Sequence, residues 1–406
     1  MGLHTYQVLF SSIMSSSSRR VILRHLLRFA NSAYKDRTHL EYSIEWLCRA
    51  QDNSGCSGCS ASFSIIVGWA PPYPETTGYI ISTFLKYSTL VKNNSYKERA
   101  MLMGDWEIEI QLPNGAVRGG SGINEYPIVF NTGMVILGWT DLYQNTGELK
   151  YLTASVKAAD WLCSIQDDDG KWSKDTYNGI AHAYHSRVAW SLLELYKLTN
   201  DSKYMDSARR NVEWVLSDLQ SNGWIAGMGF YSGDISPLTH TIAYTLRGLL
   251  ESSIFFDNDL RSRSQLAVFN AAHKLLAVYD SIRKSSRSKI KLLPGRFNAY
   301  WQPSATFSCL TGNAQIAIIW MKIYMITGEQ QFLSAAVEII EQLKKVQDIS
   351  NSNMGIRGGI PGSLPIWGEY MQLSYPNWAV KFFADALMLK EFLTEGQSDE
   401  ELTVLY

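Results

Sequence analysis

The chain has 406 residues, 46% apolar and 18% charged, which excludes a mainly disordered protein and allows a large core. Lys and Arg number 37 against 38 Asp and Glu, for a net charge of −1. That balance gives no global positive field for nucleic acid and no polybasic tail for anionic lipid.

From the N-terminus, MGLHTYQVLFSSIMSSSSRR makes a poor signal peptide, because no basic segment precedes its short, serine-broken apolar run. A leading helix is expected over about residues 19–34. No apolar stretch is long enough for a transmembrane helix, and a cytoplasmic location is expected. The cysteines Cys48, Cys56, Cys59, Cys163 and Cys309 are odd in number and sparse, unlike a secreted disulfide scaffold. Cys56 and Cys59 form a lone C-x-x-C with no second pair to complete a zinc site, so no metal is expected.

Self-similarity sets the architecture. Trp46, Gln51 and Gly55 recur as Trp106, Gln111 and Gly115 and as Trp161, Gln166 and Gly170. Trp214, Gln220 and Gly223 form a fourth copy, one residue longer before its Gln. The period is about 55 residues, too long for one helix and right for a helical hairpin with a generous loop. Second helices follow as the nearly all-apolar segments opening at Gly78, Gly133, Arg187, Ile242, Ala314 and Ala379. Such segments belong inside, with inner helices starting near 77, 132, 186, 241, 313 and 378. The amphipathic segments before them, such as those from Tyr151 and Tyr204, belong outside. Six outer–inner hairpins give an all-α fold, a closed (α/α)6 toroid. An open solenoid is the alternative, but it needs capping repeats that do not occur. The expected division is an N-terminal helical extension over 1–36, the toroid over 37–393 and a tail over 394–406.

Gln166-Asp167-Asp168-Asp169-Gly170-Lys171-Trp172 resembles the Q-x2-D-G-x-W element of squalene and oxidosqualene cyclases, and Gln220 to Trp224 is a shortened version. The hairpin pattern also resembles the toroids of glycoside hydrolase, polysaccharide lyase and sugar epimerase families. The likeness implies a fold rather than a reaction, since one toroid carries several chemistries. The Trp–Gln–Gly element itself reads as a helix-end clamp. Asp167, Asp168 and Asp169 continue its turn and have no partner cluster for a metal.

Loop lengths identify the working end. Outer-to-inner connections are long, whereas inner-to-outer ones such as Gln144–Glu148 and Leu198–Ser202 are short. Long loops build sites, and here they meet six helix N-termini, whose dipoles favour an anionic ligand. Their residues mix flat aromatic faces with charged and proton-carrying groups, as a saccharide site requires. The candidates for substrate contact are Trp69, Tyr73, Arg118, Glu125, Asn131, Asp175, Arg187, Trp301, Arg357, Trp367 and Tyr370. The candidates for catalysis are Glu75, Glu369, His185, His240 and Tyr177, with His185 and His240 at equivalent places in successive repeats. Glu75 and Asn131 also read as helix-capping residues.

Glycoside hydrolysis needs an acid and a partner that activates water or attacks. Glu75-Thr76-Thr77-Gly78-Tyr79 is similar to the E-G-x-G-Y element of an inverting endoglucanase family, which implies Glu75 as the acid; Thr76 replaces the first family glycine. Its partner would be Glu369, Glu125 or Asp175. Proton abstraction from a uronic acid, giving elimination or epimerisation, would instead draw on Arg118, Arg187, Asn131, Tyr177, His185 and His240. A noncatalytic glycan-binding protein is a third reading. Terpene cyclisation recedes, because neither D-x-D-D nor D-C-T-A-E occurs. The expectation is a glycoside hydrolase acting on an acidic or amino-sugar-containing saccharide, with no cofactor and no nucleic-acid partner. Nothing in the pattern sets an oligomeric state.

Overall fold

The computed structural model describes residues 16–27 and 30–395. The segment read as a poor signal peptide, the extension assigned to 1–36 and the tail assigned to 394–406 lie partly outside the described residues. Helix α1 spans Ser16–Leu26. It is shorter than the 19–34 helix expected, because the backbone N–H of Asn31 donates to Lys345 O and its side chain to Val346 and Gln347 carbonyls, holding that segment against the body.

Six hairpins follow. The outer helices are α2 (Asp36–Asp52), α4 (Ser95–Glu109), α6 (Leu149–Ser164), α8 (Ser202–Ser217), α10 (Asn258–Ser285) and α12 (Gln330–Lys344). The inner helices are α3 (Pro74–Val91), α5 (Val129–Thr146), α7 (Ser186–Thr199), α9 (Thr239–Ser253), α11 (Leu310–Thr327) and α13 (Asn377–Glu395). Each inner helix packs on the next, and α13 closes the ring on α3 and α2. The chain is an all-α toroid. Among the described residues no helix is long and apolar enough to cross a membrane.

Burial follows the sequence pattern. Helix α11 is buried continuously from Leu310 to Met321, whereas α8 buries one stripe, Tyr204, Ala208, Asn211, Val212 and Val215. The inner helices approach closely where one presents a glycine. A Cβ on Gly138 would meet Gly78 O at 2.2 Å, and one on Gly78 would meet Val135 Cα at 2.6 Å. Neither contact is a flexible side-chain end, so the α3–α5 crossing would have to open. Gly138→Ala is expected to destabilise the chain by about 1–3 kcal/mol, the usual cost of overpacking, despite the better helix propensity of Ala. Chemical denaturation checks this; an unchanged midpoint would refute the close-contact argument.

The Trp–Gln–Gly element clamps neighbouring outer helices. Gln166 Nε2 donates to Gly170 O at 2.8 Å within its own turn and to Ser207 O at 2.9 Å on α8. Gln111 repeats the arrangement on Gly115 O and Ala154 O, and Gln51 on Ser57 O and Arg99 O. Gly170 has φ +90°, and a Cβ there would strike Arg210 O at 2.4 Å, so the clamp needs glycine on both counts.

The short connections, 92–94, 147–148, 200–201, 254–257 and 328–329, lie at one end of the toroid. The long ones lie at the other and carry two small sheets. In one, β1 (Ser62–Ser64) pairs antiparallel with β2 (Gly68–Trp69) and with β5 (Ser374–Pro376); in the other, β3 (Ser308–Cys309) pairs with β4 (Ser363–Leu364). The first sheet ties the loop before α3 to the loop before α13 and so pins the last repeat to the first.

Candidate active site

Glu75 lies in the first turn of α3, just after Pro74, whose fixed φ suits a helix start. Its carboxylate does not cap the helix. It accepts a hydrogen bond of 2.5 Å from the Tyr73 hydroxyl. Burial raises the Glu75 pKa to about 7, against the opposing pull of the Tyr73 bond and the Arg187 charge. The shift needs no second carboxylate. The same burial keeps the Tyr73 hydroxyl protonated far above its ordinary range.

Around Glu75 the inner helices contribute one continuous group of side chains. Tyr73 packs edge-on to Trp378 at 6.1 Å, and Trp378 Nε1 donates to the Tyr370 hydroxyl at 2.8 Å. The Tyr370 ring lies 5.4 Å from His240, which lies 4.2 Å from Tyr244. Arg187 sits over Tyr244 at 4.8 Å and Phe382 at 5.8 Å, and Tyr79 meets Phe382 at 5.6 Å. Lys381, over the same Phe382 ring, pairs with Asp385 at 2.5 Å.

Arg187 is 3% exposed, and among the described residues no carboxylate lies within ion-pair distance of it. Its Nε contacts only the Met134 sulfur, at 3.4 Å. Burial lowers its pKa, yet an arginine remains cationic at neutral pH. His240 Nδ1 donates to Gln315 Oε1 at 2.9 Å, leaving Nε2 as an acceptor. Burial lowers its pKa to about 3, so the ring is neutral. Burial pushes Tyr79, Tyr184, Tyr244 and Tyr370 upward. Within this group, two side chains exchange a proton near neutrality: Glu75, and Lys381, which burial lowers to about 8 and which Asp385 holds in an ion pair.

The structure thus brings together Tyr73, Glu75, Arg187, His240 and Tyr370. The other sequence candidates stand apart. Glu369 points outward, its side chain 70% exposed and paired with Arg296 at 3.3 Å. Glu125 and Asp175 are exposed, and neither contributes to the Glu75 shift. Tyr177 is half exposed in a short 3-10 turn and packs on Phe230. Arg118 holds its own loop, donating to Ile110 O and Asn124 O, and Asn131 in turn donates to Arg118 O. Trp301 is buried against Trp224 and donates to Asn222 O, while Arg357 lies over Tyr42 of α2. Trp69 packs on Trp46 and Phe63, and Trp367 on His25 of α1.

His185 differs from His240 despite its equivalent place in the repeat. It belongs to the 3-10 turn Ala183–His185 rather than to the first turn of the helix, and its ring lies among Trp172, His182, Tyr184 and Phe130. It is fully buried with no partner for either ring nitrogen, and burial drives its pKa far down. As pH falls below about 6.5, the unfolded chain gains a proton that this folded site refuses, so its contribution to stability is lost on acidification. His185→Phe is therefore expected to keep turnover and to lose less melting temperature between pH 6.5 and 4.5 than the native chain; a large loss of turnover would give His185 a part in the chemistry.

Tyr79, Tyr244 and Phe382 complete the wall; Tyr79 is expected there from its nearness to Glu75 in sequence, whereas Tyr244 and Phe382 were not among the sequence candidates. The signal was present. Each lies four residues after a residue at the mouth, Glu75, His240 and Trp378, and i,i+4 positions share a helix face. Among the described residues no group of three His, Cys, Asp or Glu has metal-binding geometry; Cys59 Sγ instead contacts the Met103 sulfur.

Comparison of the sequence with family models matches residues 37–274 to the catalytic domain of GH127, β-L-arabinofuranosidase. Comparison with curated proteins gives no match. Among solved structures, the chain is similar to an unsaturated glucuronyl hydrolase from Bacillus sp. GL1, responsible for the degradation of glycosaminoglycan, at 15% identity and TM-score 0.67, covering 89% of this chain and 97% of that one. It is also similar to a sugar epimerase from a ruminal bacterium, at 12% identity and TM-score 0.67, covering 89% and 98%. A polysaccharide lyase aligns at 12% identity and TM-score 0.62, covering 90% and 99%. At these identities the structural likeness establishes the toroid and leaves the reaction to the family match. With well over half of its length matched, the chain belongs to the β-L-arabinofuranosidase GH127 catalytic-domain family and is a carbohydrate-active enzyme of the glycoside hydrolase type.

Proposed function

We propose that the chain hydrolyses a glycosidic bond next to an acidic sugar, with Glu75 as proton donor and Arg187 as the seat for the sugar carboxylate. The toroid over 37–393 is the catalytic unit in this reading, with 1–36 and 394–406 as its extension and tail. The observation that carries it is Glu75 itself, half-buried, bonded to Tyr73 and poised near neutrality. In the reaction, the Glu75 proton passes to the leaving oxygen as the anomeric C–O bond breaks. Water adds to the anomeric carbon, and its proton returns to Glu75. Tyr73 holds the carboxyl oxygen in place through both transfers. Tyr79, Tyr244 and Trp378 give the apolar faces on which a sugar ring packs.

Proton abstraction from a uronic acid is less well supported, because it needs a stronger base than this group offers. The tyrosines are held protonated, His240 is a weak base, and Lys381, though lowered to about 8, is engaged by Asp385. Arg187 favours an anionic sugar over the neutral pentose in the family's description. The test is a product assay with β-L-arabinofuranosides, uronic-acid-terminated oligosaccharides and unsaturated uronides. A new reducing end from an acidic substrate, with no newly formed conjugated uronate, supports the reading. Cleavage of arabinofuranosides alone overturns the substrate assignment, and a new conjugated uronate overturns hydrolysis.

A further inference from the structure

A cavity of about 590 Å³ lies away from Glu75, between α1 and the loops leading into α11 and α13. Ligand pockets usually fall in the range of about 300–1,000 Å³, so the space admits a short oligosaccharide. We propose that it is a second saccharide-binding site, for an anionic segment of the substrate chain. Only the substrate class is taken from the reading above; the lining stands by itself.

One wall is aromatic. Trp367 lines the cavity with 38% of its surface exposed and is held edge-on by His25 at 6.2 Å. An exposed indole is the flat apolar face that a pyranose ring stacks on. Its loop is fixed on both sides: His25 Nδ1 accepts from the Ile366 N–H at 3.0 Å, and β4 and β5 bracket the segment. Burial lowers the His25 pKa to about 4, so this acceptor persists at neutral pH.

Another part of the lining is hydroxylic. Ser286, Ser288, Thr306 and Ser308 line it, the set of small donors and acceptors that sugar hydroxyls require. Charge selects the ligand further. Lys345 lines the cavity, and among the described residues no carboxylate lies within ion-pair distance of it. Arg24 also lines it, joined to Asp348 at 2.7 Å, a pair that ties α1 to the wall. Between the inward-facing Ser286, Ser288 and Ile290 stand Arg287 and Lys289, both exposed and without an ion-pair partner among the described residues. They turn towards the outer flank and supply a local positive field that the overall charge of −1 conceals.

The loop before α13 also connects the two sites. It carries Trp367 to this cavity and, three residues on, Tyr370 to the inner site beside His240.

The test is calorimetric titration of the full chain with tetragalacturonate at low ionic strength, and with cellotetraose as the neutral control. The proposal expects a site whose binding is weakened at least tenfold in Trp367→Ala and in Lys345→Gln, is largely kept in Trp367→Phe, and is still present when Arg187→Met has removed carboxylate binding at the inner site. Cellotetraose is expected to bind at least tenfold more weakly. Loss of tetragalacturonate binding in Arg187→Met alone would place the ligand in the inner site and overturn the second site while sparing the proposed function. Equal binding of both tetrasaccharides, binding insensitive to Trp367→Ala, or no binding of either, would also overturn it. A melting curve on each variant identifies misfolding, in which case Trp367→Phe against native chain, with paramagnetic relaxation from a spin-labelled tetragalacturonate at the Trp367 indole, decides the question.

Discussion

Glu75→Gln is expected to lower turnover at least about a hundredfold, the usual contribution of a positioned proton donor, while leaving the fold intact. Glutamine keeps an oxygen to accept the Tyr73 hydrogen bond, so the change removes the proton and little else. In the native enzyme the rate should fall about tenfold per pH unit above about 7, as the donor ionises. Stability should also fall as pH rises. The folded Glu75 holds its proton up to about pH 7 and the unfolded one only to about 4.5, so the folded state loses relative stability as pH rises between these values. The substitution removes that loss and should stabilise the protein at pH 8 by on the order of 1–3 kcal/mol relative to pH 4.5. Turnover and melting temperature measured on the one variant therefore move in opposite directions. A helix-capping carboxylate would lose stability and keep turnover, and that pattern would remove Glu75 from the mechanism.

Arg187→Met gives the second large effect. A buried guanidinium without a carboxylate partner costs stability that a thioether of similar length, set against Met134, does not. The variant should be more stable by about 1–3 kcal/mol, read as a rise of a few degrees in Tm. Its kcat/KM on an acidic substrate should fall at least about a hundredfold, corresponding to one or two lost charge-assisted hydrogen bonds of about 1.5–3 kcal/mol each. On a neutral substrate the loss should be only a few-fold. Because the Arg187 charge also holds the Glu75 pKa down, the alkaline limb of the rate profile should move to higher pH in the variant. A destabilised variant that keeps its activity on acidic sugars would show Arg187 to be a packing residue instead.

How much of this was legible in the sequence varies by residue. The recurrence of Trp, Gln and Gly fixes the hairpin period because each copy solves the same local problem: a Gln that bonds its own turn and the next outer helix, and a Gly that no Cβ could replace. The continuous apolar segments mark the inner helices because only a helix surrounded on all sides can bury every face. Loop lengths identify the working end, and Glu75 follows from its place at an inner-helix start. All of these are properties of position along the chain.

Direction is another matter. Arg118 and Arg187 are both loop-end arginines in the sequence, yet the first satisfies two carbonyls of its own loop and the second is left over the Tyr244 ring without a carboxylate partner among the described residues. His185 and His240 share a repeat position, but a 3-10 turn rotates the first into an aromatic enclosure while the first turn of α9 places the second beside Tyr370. Glu369 and Tyr370 are neighbours in the chain and face opposite ways, one to Arg296 at the surface and one to Trp378 inside. Nor does composition show the positive flank beside Trp367, because distant acidic residues cancel it in the sum. The sequence by itself determined how far along each helix a side chain lies, since helical periodicity is local. Only the tertiary structure decided which side chains reach the axis and how strongly their protons are held, because both depend on carbonyls, rings and charges brought close from other repeats.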